Sequence, residues 1–249
     1  MAAEPALDYS AAGVPVRQDL REAHRRLLLH LAAPGPWWTG AERIAIAAES
    51  RNSLDCGLCR ERKAALSPAH ASGKHASLGG LSESLVDVIH RVRTDPGRLS
   101  RAWFDAVIAS GLEEGPYVEA VGVVTLLAGV DYFARSLGVP PFPLPEPRPG
   151  EPSGHRPRAA RPGEAWVSMI APRDAEGPEE DLFGGAELVP NIARALSLVP
   201  DHVRVLRDLS SSHYMDFRQI PDPTVRKDLD RAQMELVAAR VSAMNECFY

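Results

Sequence analysis

The sequence predicts an all-α protein, and three observations support this class. Apolar residues recur three and four positions apart over long stretches, as they do on one face of a helix. Sustained alternation of apolar and polar residues, which is typical of strands, does not occur, and the one β-like run, 165–170, is short. Prolines and glycines are concentrated between residues 140 and 163. We therefore expect two helical units joined by a proline-rich linker.

The N-terminal unit, residues 1–139, contains segments with helical periodicity. Thr39 and Glu42 have the spacing of a capping box, which predicts the start of the second helix. The last helix should end at Gly138, just before Pro140. The predicted helices cover residues 17–32, 41–51, 84–93, 98–110 and 116–138.

The linker covers residues 140–163, and the C-terminal unit covers residues 164–249. Residues 188–209 form two helical segments, each preceded by a proline. A final helix is predicted to begin with Asp222 as its cap and Pro223 in its first turn, and to run almost to the end of the chain. Its apolar face consists of Leu229, Leu236, Val237, Val241 and Met244.

Composition and charge exclude several classes of protein. The 249 residues include 45% apolar and 24% charged residues, which is ordinary for a globular protein. A net charge of -5 argues against nucleic acid as a partner. The N-terminus has no basic region followed by an apolar run, and the longest apolar cluster, 27–29, is far too short for a bilayer, so we expect a cytoplasmic protein with no membrane partner.

The three cysteines are too few for a disulfide scaffold, so each is core filler, a metal ligand or a redox group. Cys56 and Cys59 form a CxxC motif. Asp55 is a plausible cap that places Cys56 at a helix N-terminus, where the helix dipole stabilises a thiolate. Cys59 would lie one turn further on the same face, within reach of a disulfide with Cys56. This arrangement favours redox chemistry.

Two stretches of the chain share a pattern that suggests a duplication. In one, Glu42 is followed ten positions later by an asparagine and then by Cys56. In the other, Glu235 is followed ten positions later by an asparagine and then by Cys247. Because twelve helical residues span about 18 Å, Glu235 approaches Cys247 only if the chain reverses after the helix. A helical hairpin is therefore expected at this point.

The stretch MELVAARVSAMNECFY resembles the core motif of the alkylhydroperoxidase D-like and carboxymuconolactone decarboxylase superfamily. In that family a Glu, eleven residues, a CxxC and a His four positions further form a peroxide-reducing site. Glu235 and Cys247 match this spacing. The first unit is similar to the same fold, but Lys63 stands where the family has its His, and two extra residues precede Cys56.

The resemblance implies a helical bundle of two related units, the second incomplete after Tyr249. One hypothesis for that end is a UGA codon, meant as selenocysteine, that was read as a stop; a cloning boundary or a frameshift is the alternative. The implied reaction is reduction of a hydroperoxide, with a dithiol as electron donor and no cofactor. Family members are usually oligomers, so self-association is expected.

Other interpretations remain open for the same residues. His90 could supply the imidazole that Lys63 does not, although an ordinary helix histidine is the simpler interpretation. Glu42 fits a structural role in the capping box, and Glu235 fits a solvated helix face.

A zinc site made of Cys56, Cys59, His70 and His75 is the main alternative to redox chemistry, since zinc takes two thiolates and two imidazoles at roughly this spacing. The protein would then be a zinc-stabilised, non-catalytic helical module. An inactive, truncated family member is a further alternative.

Overall fold

The computed structural model describes residue 5 and residues 7–244, and it confirms the all-α class. Over this part of the chain, short 3-10 turns connect several of the α-helices, and Arg161 and Met169 form an isolated antiparallel bridge near the predicted β-like run. The helices are α1 (Gln18–Ala32), α2 (Gly40–Asn52), α3 (Gly57–Ala64), α4 (Glu83–Thr94), α5 (Arg101–Ala109), α6 (Glu114–Ser136), α7 (Asn191–Arg194), α8 (Pro200–His213) and α9 (Arg231–Met244).

Local signals at the helix ends act as the sequence predicts in the N-terminal unit. The Thr39 hydroxyl accepts the Glu42 N–H at 3.2 Å, and the Glu42 carboxylate accepts the Thr39 N–H at 2.8 Å, which confirms the capping box of α2. Ser82 and Ser100 cap α4 and α5 in the same way. After α6, Gly138 has a φ of 70°, a left-handed conformation that ends the helix as predicted.

Helix α6 lies at the centre of the bundle, in contact with α1, α2, α4 and α8. Leu127 on α6, Leu27 on α1 and Ile89 on α4 are fully buried, and they belong to one hydrophobic cluster. Leu198 and Val203, from beyond the linker, belong to the same cluster. The two predicted units therefore share one apolar core over the described residues.

The proline-rich segment runs along the α1–α2 connection without helix or strand. The Arg148 N–H donates to the Ala32 carbonyl at 2.7 Å, and the Ser153 N–H donates to the Gly35 carbonyl at 3.1 Å. These backbone bonds fix the middle of the segment against the first unit, although most of its residues are exposed.

Helix α6 is also long and apolar enough, by length and composition only, to cross a membrane, and it is a longer apolar segment than the 27–29 cluster. Of the window that passes this test, 67% is buried inside the protein. Because the core helix of a globular bundle has the same composition, this feature is weak evidence for a span.

The structure corrects two expectations about caps. Cys56 itself is the N-cap of α3, because Asp55 ends the preceding 3-10 turn. Helix α9 begins at Arg231 and not near Pro223, because the Asp222 carboxylate bonds to Thr224 within a turn. Asp230 accepts the Gln233 N–H at 2.9 Å and so stabilises the observed start. The predicted apolar face of α9 is largely exposed at Leu236, Val237, Val241 and Met244.

Candidate metal centre

The CxxC motif is positioned by the sharp turn between α2 and α3. Helix α2 ends at Asn52, one 3-10 turn follows, and α3 begins directly after Cys56. Cys59 lies in the first turn of α3, so both sulfurs face the same side. Burial raises the pKa of the Cys56 thiol, but the nearby backbone N–H groups of Ala76 and Cys59 and the His75 ring outweigh burial and lower this pKa. Both cysteines are buried, at 1% and 4% exposure.

Two histidines from other elements complete the group. His75 lies on the connection between α3 and α4, and His90 is fully buried on α4. His75 Nδ1 lies 3.6 Å from Cys56 Sγ and 3.5 Å from Cys59 Sγ, and His90 Nδ1 lies 3.2 Å from Cys59 Sγ. The four candidate ligand atoms all lie within 4.8 Å of one another. We call these four residues the Cys–His centre.

These separations match the edges of a zinc tetrahedron. With Zn–S bonds of about 2.3 Å and Zn–N bonds of about 2.0–2.1 Å, the sulfur and nitrogen ligands of one ion stand about 3.6 Å apart. Three of the four sulfur–nitrogen distances, at 3.2 to 3.6 Å, lie at or just below this value. The group therefore needs little rearrangement to hold one ion.

Each histidine of the centre has a carboxylate behind it. His75 Nε2 lies 3.0 Å from Asp87 Oδ1, and His90 Nε2 lies 2.7 Å from Glu49 Oε1. A carboxylate at Nε2 fixes the proton there and leaves the Nδ1 lone pair directed at the sulfurs. Metal-ligating histidines almost always have such a partner. The orientation of both rings therefore suits ligation through Nδ1.

The two carboxylates are themselves held by further hydrogen bonds. Asp87 accepts from Arg62 Nη1 at 2.9 Å and from Trp103 Nε1 at 2.7 Å. Glu49, which is 1% exposed, is held by three donors at 2.9 to 3.0 Å. These donors are Asn52 Nδ2, Ser77 Oγ and the Leu78 N–H. The outer partners thus fix the orientation of both histidine rings.

The acidic groups of the centre favour the binding of a proton or a cation. Burial raises the pKa of the Cys59 thiol, but hydrogen bonds with His75, His90 and Thr94 outweigh burial and lower this pKa to about 6. Burial lowers the pKa of His75, but its bonds to Asp87 and to the two sulfurs raise this pKa to about 10. Two thiols, two imidazoles and two carboxylates in one buried site favour positive charge among them, carried by protons or by a metal ion.

The residues selected from the sequence are only partly brought together. Cys56, Cys59, His75 and His90 meet in the centre, whereas His70 is exposed on a 3-10 turn and lies outside the group. The fourth ligand position is therefore held by His90, 31 residues after Cys59.

The glutamates selected from the sequence lie elsewhere. Glu42 takes part in the capping box of α2, as the alternative interpretation holds. Glu235 bonds to Tyr214 and, at 2.6 Å, to Arg231 Nε on α9. Cys247 lies outside the described residues, as does the hairpin expected before it. Neither glutamate contacts the Cys–His centre.

Sequence reasoning missed the two carboxylates that support the histidines. Glu49 interrupts the apolar run IAIAAES on α2, and a lone acid within an apolar run is a signal for a buried partner. Asp87 precedes His90 by three residues, which places both side chains on neighbouring positions of one helix surface. The second signal would have directed attention to α4.

Comparison with known proteins finds no match among family models, curated proteins or solved structures. The chemistry of the centre therefore rests on its own geometry.

Proposed function

We propose that this protein is a zinc-binding helical protein, in which Cys56, Cys59, His75 and His90 bind one zinc ion. The observation that carries the proposal is the convergence of four ligand atoms within 4.8 Å, with a carboxylate behind each histidine. Two thiolates and two imidazoles in a tetrahedral arrangement are typical of zinc. Because all four positions are filled by protein ligands, the role proposed for the ion is structural.

The ion would join parts of the chain that share few apolar contacts with the main core. Cys56 and Cys59 form a small cluster with Leu58 and Ala71, separate from the main core. Helix α3 and the 65–82 connection therefore have little hydrophobic stabilisation of their own. One ion coordinated by α3, by the connection and by α4 would fix this corner of the bundle.

Metal analysis of the purified full chain under reducing conditions tests this proposal. We expect one zinc per chain by mass spectrometry, and loss of that zinc in Cys56→Ser and His90→Asn. His70→Asn is the matched control, because this histidine is exposed and outside the centre. A reduced, folded chain that neither contains nor takes up zinc, or a His70 variant that loses it, would contradict the proposal.

A second candidate function is reduction of a hydroperoxide by the CxxC dithiol, as the resemblance to the alkylhydroperoxidase D-like superfamily implies. A small cavity of about 130 Å³ reaches Cys59 and provides a route for a peroxide. We propose that the Cys59 thiolate would attack the terminal peroxide oxygen, and that cleavage of the O–O bond would release an alcohol and leave a sulfenic acid. Cys56 would then displace water to form a disulfide, which an external dithiol would reduce.

The two functions compete for the same sulfurs, so one experiment separates them. Under metal-free conditions, peroxide reduction predicts the loss of two thiols per peroxide, and Cys56→Ser should stop at the sulfenic acid. If Cys59 reacts with peroxide no faster than free cysteine does, the redox function is excluded. Zinc binding would survive that outcome.

We also propose that the chain self-associates, as the resemblance to the superfamily implies. Leu236, Val237 and Val241 expose an apolar face on α9, and such faces favour protein contacts. Sedimentation of the full chain tests this expectation, since replacement of these residues by glutamine or serine should shift an oligomer to the monomer. A chain that is already monomeric at micromolar concentration contradicts it.

A further inference from the structure

A small cavity lies beside the Cys–His centre, and its lining is basic. Its volume is about 130 Å³, and its wall includes Cys59, Arg60, Lys63, Arg93, Thr94 and Tyr132. Ligand sites for drug-sized molecules have volumes of roughly 300–1,000 Å³. The cavity therefore suits only a group of a few heavy atoms.

Three cationic side chains lie on this wall, and they come from two helices. Arg60 and Lys63 are exposed on α3, while Arg93 is buried on α4. None of the residues that line the cavity carries a carboxylate. Asp131, just outside the lining, is shared by Arg93 at 3.3 Å and Arg51 at 2.8 Å. Because one carboxylate serves two guanidinium groups, positive charge remains in excess.

The buried guanidinium of Arg93 is incompletely paired. Its side chain is 2% exposed, and its Nε and Nη1 atoms have no hydrogen-bond partner among the described residues. Its Cζ lies 4.9 Å from the centre of the Tyr132 ring, which stabilises the cation from one face, and its Nη2 lies 3.3 Å from Asp131, but the N–H groups of Nε and Nη1 stay unpaired. Buried polar groups are normally satisfied, so two unpaired guanidinium donors beside a cavity point to a missing acceptor.

We infer that this cavity binds a small oxyanion such as inorganic phosphate. An oxyanion offers several acceptor oxygens, and a guanidinium group donates charge-assisted N–H bonds to such oxygens. Lys63 and Arg60 supply further positive charge at the mouth, and the Thr94 hydroxyl lies on the same wall. The anion would cover the sulfur of Cys59. This inference goes beyond the zinc proposal and does not depend on it.

Binding of inorganic phosphate to the full-length chain as purified tests the inference, with radiolabelled phosphate in equilibrium dialysis at constant ionic strength. We expect saturable binding of one phosphate per chain, with acetate and sulfate as competitors. The double variant Arg60→Gln with Lys63→Gln changes only exposed side chains on α3, and it should weaken binding about tenfold or more, since charge-assisted hydrogen bonds are lost. Arg226→Gln, an exposed arginine outside the cavity, is the matched control.

Zinc content and circular dichroism are measured in the same samples. Phosphate binding in a chain without zinc would support the oxyanion site while contradicting the zinc proposal. The inference is overturned if phosphate binding is not saturable, or if the double variant binds as tightly as the Arg226 variant. A loss of helix content would instead identify misfolding, and Lys63→Gln by itself then replaces the double variant in the same comparison.

Discussion

Two buried clusters in this molecule each contain a pair of neighbouring histidines, but they differ in what the histidines face. In the Cys–His centre, the rings of His75 and His90 lie 4.2 Å apart and face two sulfurs. In the second cluster, which we call the Arg–His cluster, His30 and His202 lie 5.1 Å apart and face Arg43 and Glu119. Both groups are buried between helices of one bundle.

The pKa values of the histidines shift in opposite directions in the two clusters. Burial and the nearby Arg43 guanidinium lower the pKa of His30 to about 3 and hold that of His202 well below its usual value. In the Cys–His centre, the bonds to thiols and carboxylates raise the pKa of His75 to about 10. Each cluster has an arginine beside it, but the Arg–His cluster sets Arg43 against one carboxyl group, whereas the Cys–His centre sets Arg62 against two thiols of lowered pKa and two carboxylates. Paired histidines therefore suit a metal ion better where acidic groups outnumber the nearby cations.

The largest expected effect comes from removal of one ligand of the Cys–His centre. His90→Asn should abolish stoichiometric zinc and lower the free energy of unfolding by about 3–5 kcal/mol, as when a partner of a buried charged network is removed. A chelator should lower the melting temperature of the wild-type chain but not of this variant. His30→Asn, in the other cluster, should retain one zinc per chain. Equal zinc loss in both variants would remove the distinction between the clusters.

A substitution in the Arg–His cluster should lower the free energy of unfolding without changing the zinc content. Arg43 is 1% exposed and lies 3.5 Å from a Glu119 oxygen. Arg43→Met would leave that carboxyl group without its cation, at a cost of about 2–4 kcal/mol. Chemical denaturation measures the loss, and metal analysis provides the control. A fall in zinc content together with stability would show that the clusters are coupled.

A smaller effect is expected when a carboxylate behind the metal ligands is changed. Glu49→Gln should weaken zinc binding about 10–100-fold while saturation still gives one zinc per chain, since loss of a group that hydrogen-bonds a metal ligand typically has an effect of this size. Competition with a chromophoric chelator measures the affinity. Glu42→Gln, on the same helix but in the capping box, serves as the control and should leave zinc affinity unchanged. An unchanged affinity in Glu49→Gln would contradict the proposed support of His90.

The smallest effect concerns pH and Glu119. Burial raises the pKa of this carboxyl group to about 7, against the opposing influence of Arg43 and two backbone N–H groups. A raised pKa in the folded state means that the folded chain binds the proton more tightly. The resulting stability is present below about pH 4.5 and is lost as the pH rises through 7, with a slope of at most about 1.4 kcal/mol per pH unit.

Glu119→Gln tests that slope, because the amide does not titrate. Denaturation of both chains between pH 4.5 and 7.5 should give a difference in unfolding free energy that changes across this window. A difference that stays constant would show that the pKa of Glu119 is not raised.

The sequence was most informative where structure is determined locally. Periodicity and the capping box predicted α1, α2, α4, α5 and α6, because these features depend on residues within one or two turns. The predicted start of α9 was wrong, because the Asp222 carboxylate hydrogen-bonds to Thr224 in a turn and does not cap a helix. Competing local hydrogen bonds of one aspartate cannot be ranked from the sequence.

The candidate site was predictable only in part, for a different physical reason. The CxxC spacing placed the two sulfurs together within one helical turn. The choice of His90 over His70 depends on how α4 packs against α2 and α3, and the spacing of the CxxC motif does not encode that tertiary contact. Lys63, which stands at the family histidine position, lies at the mouth of the small cavity instead.

Three of the four residues of the Cys–His centre belong to helix α4 or to the turn that starts α3, and only His75 belongs to a longer connection. Its neighbours Lys74 and Ala76 are exposed, and Gly73, Gly79 and Gly80 adopt positive φ along the same stretch. If an ion binds as proposed, three of its ligands would lie on or next to helices, and His75 would be the ligand on the more exposed connection. The rate of metal exchange should then follow the opening of that stretch, and not the unfolding of the bundle.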